Sequence, residues 1–426
     1  MIDTLLEILK ASGADGYAIT DTTTLAYEFY FIKHELDQNR VRDVEHVEVT
    51  VYKKLDDGKM LGSASREIYM GSTKEEIREE VDKLIGRASN VKNPFFELRK
   101  PSDFVPEKSK EVDVSKIAEN FVKALSEIPE TDTEYLNSYE IFVEKNIRRF
   151  VNSEGIDVTF EYPSSMVEVV VNAKKDNHEI ELYRLYHAGT CDKEALTKDI
   201  TKVLTFGKDK LVAKPTPAIG KTAVVFSTSD AASIYTWFAD RCSTAYKYNK
   251  FTDFEIGKDI FKEVNGDKVN LKGVKELQNS SKNGDFDAEG AVVRDISLIE
   301  ENVPKNFWGG MQYGYYLNMK DSFIVGNFEV SGGSKTDEEI RSGKFLEIVE
   351  FSDFNVDSVT GDIAGEIRLG YYHDGDKVTP VSGGSVSGNL NSLLKNLSMS
   401  KDKSQYNNFL IPTLTRLENV SITGAE

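Results

Sequence analysis

The stretch that most constrains this chain spans residues 222–260, TAVVFSTSDAASIYTWFADRCSTAYKYNKFTDFEIGKDI. Residues 222–226 are β-branched, small and aromatic, the make-up of a buried strand. The run ends in Ser227, Thr228, Ser229 and Asp230, whose side chains can accept hydrogen bonds from the free N–H groups of a helix start. Ala231, Tyr235, Phe238, Cys242 and Ala245 then recur at alternating steps of four and three, one apolar stripe of a helix. Strand, cap and helix in direct succession specify a rigid platform on which an active site can be mounted.

With 426 residues the chain is long enough for two or more domains. A formal net charge of -18 argues against direct nucleic-acid binding, because the phosphates would be repelled. No stretch approaches the ~20 apolar residues of a membrane span. The first residues, MIDTLLEILKASGAD, lack a basic region and a long apolar core, and read as an amphipathic helix rather than a signal peptide. Two cysteines, Cys191 and Cys242, imply a reducing compartment without a disulfide framework, so the expected location is cytoplasmic.

The chain divides into residues 1–100, an N-terminal α+β domain; 101–220, a middle α+β segment that continues its sheet; and 221–426, a β-rich domain. In the first, a helix over 3–12 gives way at Gly13 and Gly16 to strands at 16–19, 25–32, 46–53 and 59–68, with Asp56-Asp57-Gly58 as a hairpin turn. Thr73 caps a helix through Arg87, with Glu76 completing a capping box. Residues 94–106 read as a linker. A helix at 112–128 follows, then strands at 136–143, 147–152, 156–162, 165–173 and 179–187, and a helix at 192–211. No internal repeat and no low-complexity tract is apparent.

Several segments carry a collinear family resemblance. "FVNSEGIDVTFEYP" resembles an N-S-x-G hairpin, and Asp287-Ala288-Glu289-Gly290 with Leu298-Ile299 resembles a D-x-E-G … L-I pair. Gly361-Asp362, the 374–381 run, Gly388-Asn389-Leu390, and Pro412 with Asn419 and Gly424 continue the series. Together they resemble the TldD/PmbA family, the so-called modulators of DNA gyrase, which form a two-subunit zinc protease. The resemblance implies an α+β fold, with an N-terminal α/β-sandwich-like domain and a β-rich, barrel-like C-terminal domain. In the catalytic TldD-type subunit the central helix opens with His-Glu-x-x-x-His, and a Cys near the C-terminus completes the zinc site.

Here the corresponding window holds Ser229, Asp230, Ser233 and Ile234, and the 401–414 segment has Tyr406, Asn407 and Asn408 instead of a cysteine. A catalytic zinc needs three protein ligands and an open position. The closer likeness is therefore to the PmbA (TldE) subunit, which lacks the zinc ligands. The resemblance implies no catalytic or metal-binding residue and no cofactor in this chain, with zinc only in a TldD-type partner. It also implies a homodimer or a heterodimer with that partner, an unfolded peptide as substrate, and neither nucleic acid nor membrane as partner. Two rival readings stay open: a stand-alone homodimer that binds peptides without cutting them, and a metal-independent hydrolase using Ser229 and Asp230.

The remaining motifs have plainer explanations. None of the five histidines, His34, His46, His178, His187 and His373, falls on the central helix. His34-Glu35 has no second histidine in reach, and His187 with Cys191 makes two ligands where three are needed. Cys242 on the apolar stripe reads as a small core residue. Gly220-Lys221-Thr222 lacks the leading glycine of a phosphate loop, since that position is Pro215. Asp285, Asp287 and Glu289 imitate half a calcium loop, but the closing glutamate would fall on Ile296, so a turn on the barrel is the expected structure. Phe307, Trp308, Gly309, Gly310, Tyr313 and Tyr315 form an aromatic, glycine-punctuated cluster suited to a peptide groove, and equally to a core or a dimer interface.

Overall fold

The computed structural model describes residues 1–105 and 111–425; Pro106, the expected end of the linker, lies outside them. Helix α1 (Ile2–Ala11) leads into β1 (Gly16–Ile32), β2 (Glu35–Leu55) and β3 (Met60–Ile68), and α2 (Lys74–Ala88) follows. After a two-residue edge strand, β4 (Asn93–Pro94), the same order recurs: α3 (Val114–Ser126), β5 (Glu134–Asn152), β6 (Asp157–Lys175), β7 (His178–Ala188) and α4 (Lys193–Lys210). The two leading strands, β1 and β5, pair antiparallel at the centre of one sheet, ordered β4-β3-β2-β1-β5-β6-β7. The repeat lies in element order rather than in residue identity, which is why the sequence does not display it.

The alternation of β1 explains the layering. Tyr17 and Ile19 pack under α1 and α2, while Leu25, Tyr27, Phe29 and Phe31 pack under α3 and α4. These are odd positions of one strand, so all four helices cover the same face. The even positions, among them Ala18, Thr20, Thr22 and Thr24, form the opposite face. The strands expected at 16–19 and 25–32, at 136–143 and 147–152, and at 156–162 and 165–173 are in each case one long strand. Thr22, Thr23 and Thr24 are β-branched and continue the ladder. Pro163 is tolerated because it pairs with Lys145 of β5 only, the β7 ladder beginning at Ser165.

The capping box of α2 forms as expected: the Glu76 amide donates to Thr73 Oγ1 at 3.3 Å, and the Thr73 amide donates to Glu76 Oε2 at 2.7 Å. Thr73→Ala is expected to lower stability by about 1 kcal/mol, measurable as a shift in the urea midpoint at constant slope.

After β8 (Lys214–Pro215), strand β9 (Gly220–Ser227) enters the C-terminal part. It lies between Phe345–Val356 and Leu414–Thr423, and Ser385–Asn389 and Asp362–Asp374 complete a closed five-stranded barrel as Asp362–Asp374 pairs back onto Phe345–Val356. A second sheet runs Val303–Pro304, Ile296–Glu300, Leu271–Val274, Asn327–Val330, Phe409–Pro412, Lys403–Tyr406. The fold is thus α+β with a barrel in its C-terminal half.

Helix α5 (Thr228–Arg241) shares one apolar cluster with barrel residues such as Val224, Leu346 and Leu417 and with second-sheet residues such as Leu271, Phe328 and Ile411. It differs from the one-striped helix that the periodicity predicts. Ala231, Ala232, Ile234, Tyr235, Trp237, Phe238, Ala239 and Arg241 are all buried, a face much wider than one stripe, while Ser229, Ser233, Thr236 and Asp240 form a narrow polar strip along the helix. The helix ends at Arg241 with Cys242 as its C-cap, and Ala245 belongs to a separate short helix, α6 (Thr244–Tyr248).

Candidate functional site

Ser227 is the N-cap of α5, but its side chain makes no capping hydrogen bond. Its Oγ lies 3.4 Å from both Ser229 Oγ and Asp230 Oδ2 instead, so the expected side-chain capping of this helix does not occur. Thr228 Oγ1 is hydrogen-bonded to Ser404 Oγ, on strand Lys403–Tyr406, at 2.5 Å. The two halves of the window that the family resemblance singles out, helix start and C-terminal strand, therefore meet in space. What they bring together is a set of hydroxyls, one carboxyl group and the phenol of Tyr406.

Asp230 has unusual chemistry. Burial pushes its carboxyl up to about 7, and the charge of Glu350 pushes the same way, against the pull of Arg184 and of the Ser227 hydroxyl. Burial, joined by the charge of Asp230, also raises the Tyr406 phenol. Facing the helix start, Arg184 of β7 holds Glu350 of the barrel through Nη1 and Nη2, each at 2.5 Å. Burial outweighs that partner and leaves the Glu350 carboxyl above its ordinary range. Tyr186, next along the same face of β7, donates to Asp199 Oδ2 of α4 at 2.8 Å. The start of α5 thus sits where the N-terminal sheet is joined to the barrel. Arg184 and Glu350 cannot be singled out from the sequence, because isolated charges on strands look like solvated positions.

Ser233 is half-buried and Ile234 is fully buried in the core, where it presents nothing to a ligand. Among the described residues no three His, Cys, Asp or Glu side chains gather as a metal site. The donor set itself does not fit zinc, which takes thiolate, imidazole and carboxylate ligands rather than serine hydroxyls. His187 and Cys191 acquire no third ligand among the described residues, and burial raises the Cys191 thiol to about 11. Cys242 is fully buried, as a small core residue should be.

The aromatic cluster divides by position. Phe307 is in the core. Trp308 braces the end of α5, its Nε1 donating to Ala239 O at 2.8 Å and its backbone N–H to Cys242 O at 3.0 Å. Gly309 has φ +154, and a Cβ there would lie 2.0 Å from Thr244 Oγ1, so only glycine permits this approach. Gly310 caps α7 (Met311–Tyr316). Tyr313 and Tyr315 are half-exposed, with ring centroids 5.4 Å from Tyr248 and 6.1 Å from Phe95. Tyr315 therefore lines a joint with residues 94–96, where Tyr316 also donates to Pro94 O at 2.5 Å, while Tyr313 packs on Tyr248 and Tyr316.

Residues 219–424 match the model of the PmbA/TldA metallopeptidase C-terminal domain. This part of the chain belongs to the PmbA/TldD family. No curated protein sequence matches it. Among solved structures, TldE from Thermococcus kodakarensis is 16% identical with a TM-score of 0.79, covering 99% of this chain and 100% of that one. A candidate DNA gyrase modulator from Thermotoga maritima is 16% identical with a TM-score of 0.78, covering 99% of each chain. Another from Bacteroides thetaiotaomicron is 15% identical with a TM-score of 0.78, covering 99% of this chain and 98% of that one. At these identities the likeness is one of fold.

The PmbA/TldD motifs have structural work in this chain. Asn152 Oδ1 accepts from the Glu154 and Ile156 amides, each at 3.0 Å, and its Nδ2 donates to Arg99 O at 2.8 Å. Asp287 Oδ1 accepts from the Glu289 and Ala291 amides at 2.9 and 2.8 Å, while Oδ2 accepts from the Ile324 amide at 2.8 Å. Glu289 Oε2 accepts from the Met311 amide at 2.6 Å. The expectation placed this turn on the barrel. It packs instead on the N-terminal sheet, where Gly290, with φ +75, fits against Ile156 and Phe150.

Proposed function

We propose that this chain is a PmbA/TldE-type subunit of a TldD/PmbA-type metalloprotease, non-catalytic by itself. It pairs with a zinc-bearing TldD-type subunit in the cytoplasm and helps to form the chamber in which unfolded peptides are cut. One observation carries this reading: the start of α5 and strand Lys403–Tyr406 come together, yet they bring hydroxyls, Asp230 and Tyr406 where a zinc site needs imidazole, thiolate or several carboxylates. A window without zinc ligands would hold no metal to lower the pKa of an attacking water. A metal-independent hydrolase is favoured only by the Asp230 carboxyl, whose value near 7 suits a general base. Its neighbour, however, is Ser227 Oγ at 3.4 Å, and among the described residues no histidine is hydrogen-bonded to Ser229, whose side-chain partner is Ser227.

Elemental analysis and a peptidase assay on a denatured protein substrate test the proposal, with and without a TldD-type subunit. The chain alone should be metal-free and inactive, and the mixture should hydrolyse the substrate until a chelator is added. Stoichiometric zinc with hydrolysis by the chain alone would overturn the proposal. Chelator-resistant hydrolysis abolished by Asp230→Asn would establish the metal-independent reading instead.

A further inference from the structure

Where the even-numbered face of the N-terminal sheet meets the 287–290 turn lies a cavity of about 170 Å³, away from the start of α5. Thr20, Thr50 and Tyr52 give it a polar floor, and Leu98, Phe150 and Met311 give it apolar walls. Two oppositely charged side chains, Arg99 and Glu289, also line it, with Arg99 Nη2 3.8 Å from Glu289 Oε2. Neither is fully used. Glu289 Oε2 is taken by the Met311 amide, while Oε1 has no hydrogen-bond partner among the described residues. Arg99 Nη2 donates to Ser322 O at 2.7 Å, while its Nε is buried without a partner among the described residues. The Glu289 side chain is 31% exposed and Oε1 is not a buried atom, whereas Arg99 Nε is a buried polar atom left unsatisfied, which is costly.

A carboxylate and a guanidinium set side by side in a partly apolar enclosure complement a ligand that carries an ammonium and a carboxylate on neighbouring atoms. We infer that this cavity binds a free α-amino acid with an aliphatic side chain, its ammonium on Glu289 Oε1, its carboxylate beside the Arg99 guanidinium and its side chain against Leu98, Phe150 and Met311. Both head-group contacts are charge-assisted, the stronger class of hydrogen bond. Burial raises the Glu289 carboxyl, and an ammonium seated on it would counter that rise. Gly310 is part of the arrangement, because a Cβ there would come 2.9 Å from Glu289 Oε1. The site makes no use of the degenerate zinc window, so it stands apart from the proposed protease role.

Isothermal titration of the full chain with L-leucine, N-acetyl-L-leucine and L-leucinamide tests the inference. L-leucine should bind, and the two analogues, each lacking one charge, should bind at least about tenfold more weakly. Glu289→Gln and Arg99→Gln should each weaken L-leucine by a similar factor. Should either variant misfold, Ala18→Leu fills the cavity while leaving both charges, and it should abolish binding with an unchanged circular dichroism spectrum. Absence of L-leucine binding up to about 10 mM, a concentration that fills even weak sites, would overturn the assignment. So would equal binding of all three compounds, or binding that survives Ala18→Leu.

Discussion

Replacing Arg184 by leucine should destabilise the protein by about 3–5 kcal/mol at neutral pH, the range for stranding one member of a buried ion pair. Arg184 reaches from β7 to Glu350 on barrel strand Phe345–Val356, and the Glu350 side chain is only 5% exposed. Leucine leaves that carboxylate without its counter-ion, and the desolvation it already suffers is no longer opposed. The loss should depend on pH with a definite sign. Glu350 already has a folded-state pKa above its ordinary value, so its proton is bound more readily folded than unfolded. Removing Arg184 widens that difference, so the variant should recover stability relative to the wild type as pH falls and the carboxyl becomes neutral. Urea titrations at several pH values, with Glu350→Gln added to Arg184→Leu, check the account. The second substitution removes the stranded charge and should restore much of the loss at neutral pH. A deficit that is flat with pH and unmoved by Glu350→Gln would show that Arg184 acts through packing alone.

That ion pair also marks the limit of what the sequence discloses. Local chemistry is legible: Thr73 with Glu76 specifies a helix start, Asp56-Asp57-Gly58 a turn, and the 222–226 run a buried strand feeding a helix. Strand lengths are not, because threonine-rich and proline-containing stretches that look like breaks pair without interruption in the fold. The repeated order of helix, three strands and helix is invisible for a related reason, since it preserves element order and not residues. The barrel follows from the collinear motifs. Around the site, Ser229 and Asp230 can be found because they directly follow a recognisable strand. Arg184 and Glu350 stand 166 positions apart and become partners only when the sheet meets the barrel. The cavity beside Glu289 is a still longer-range product, gathering side chains from Ala18 to Met311.

Replacing Asp230 by asparagine should raise stability at alkaline pH and leave it unchanged near pH 4. An aspartate that titrates near 3.8 when exposed and near 7 in the fold favours the folded state most below the lower value. That advantage is lost as pH rises through the upper one, because ionising the carboxyl in place is harder than ionising it in the unfolded chain. Asparagine keeps the shape and carries no charge, so the variant should escape this loss. Each pH unit between the two values is worth about 1.4 kcal/mol, and the carboxyl is only half-buried, so the gain at pH 8 is at most about 4 kcal/mol. Thermal or urea unfolding between pH 4 and pH 8 reads the difference directly. A constant difference across that range would mean that Asp230 ionises as an ordinary aspartate and that its surroundings are well hydrated. A gain confined to higher pH would mean that the chain keeps an unfavourable carboxylate at the head of its most buried helix. Stability alone gives no reason to keep it there. Testing Asp230→Asn in the mixture with a TldD-type subunit then asks whether the reason lies in the chamber: lower peptidase activity from a more stable subunit would place the carboxylate in the function of the complex.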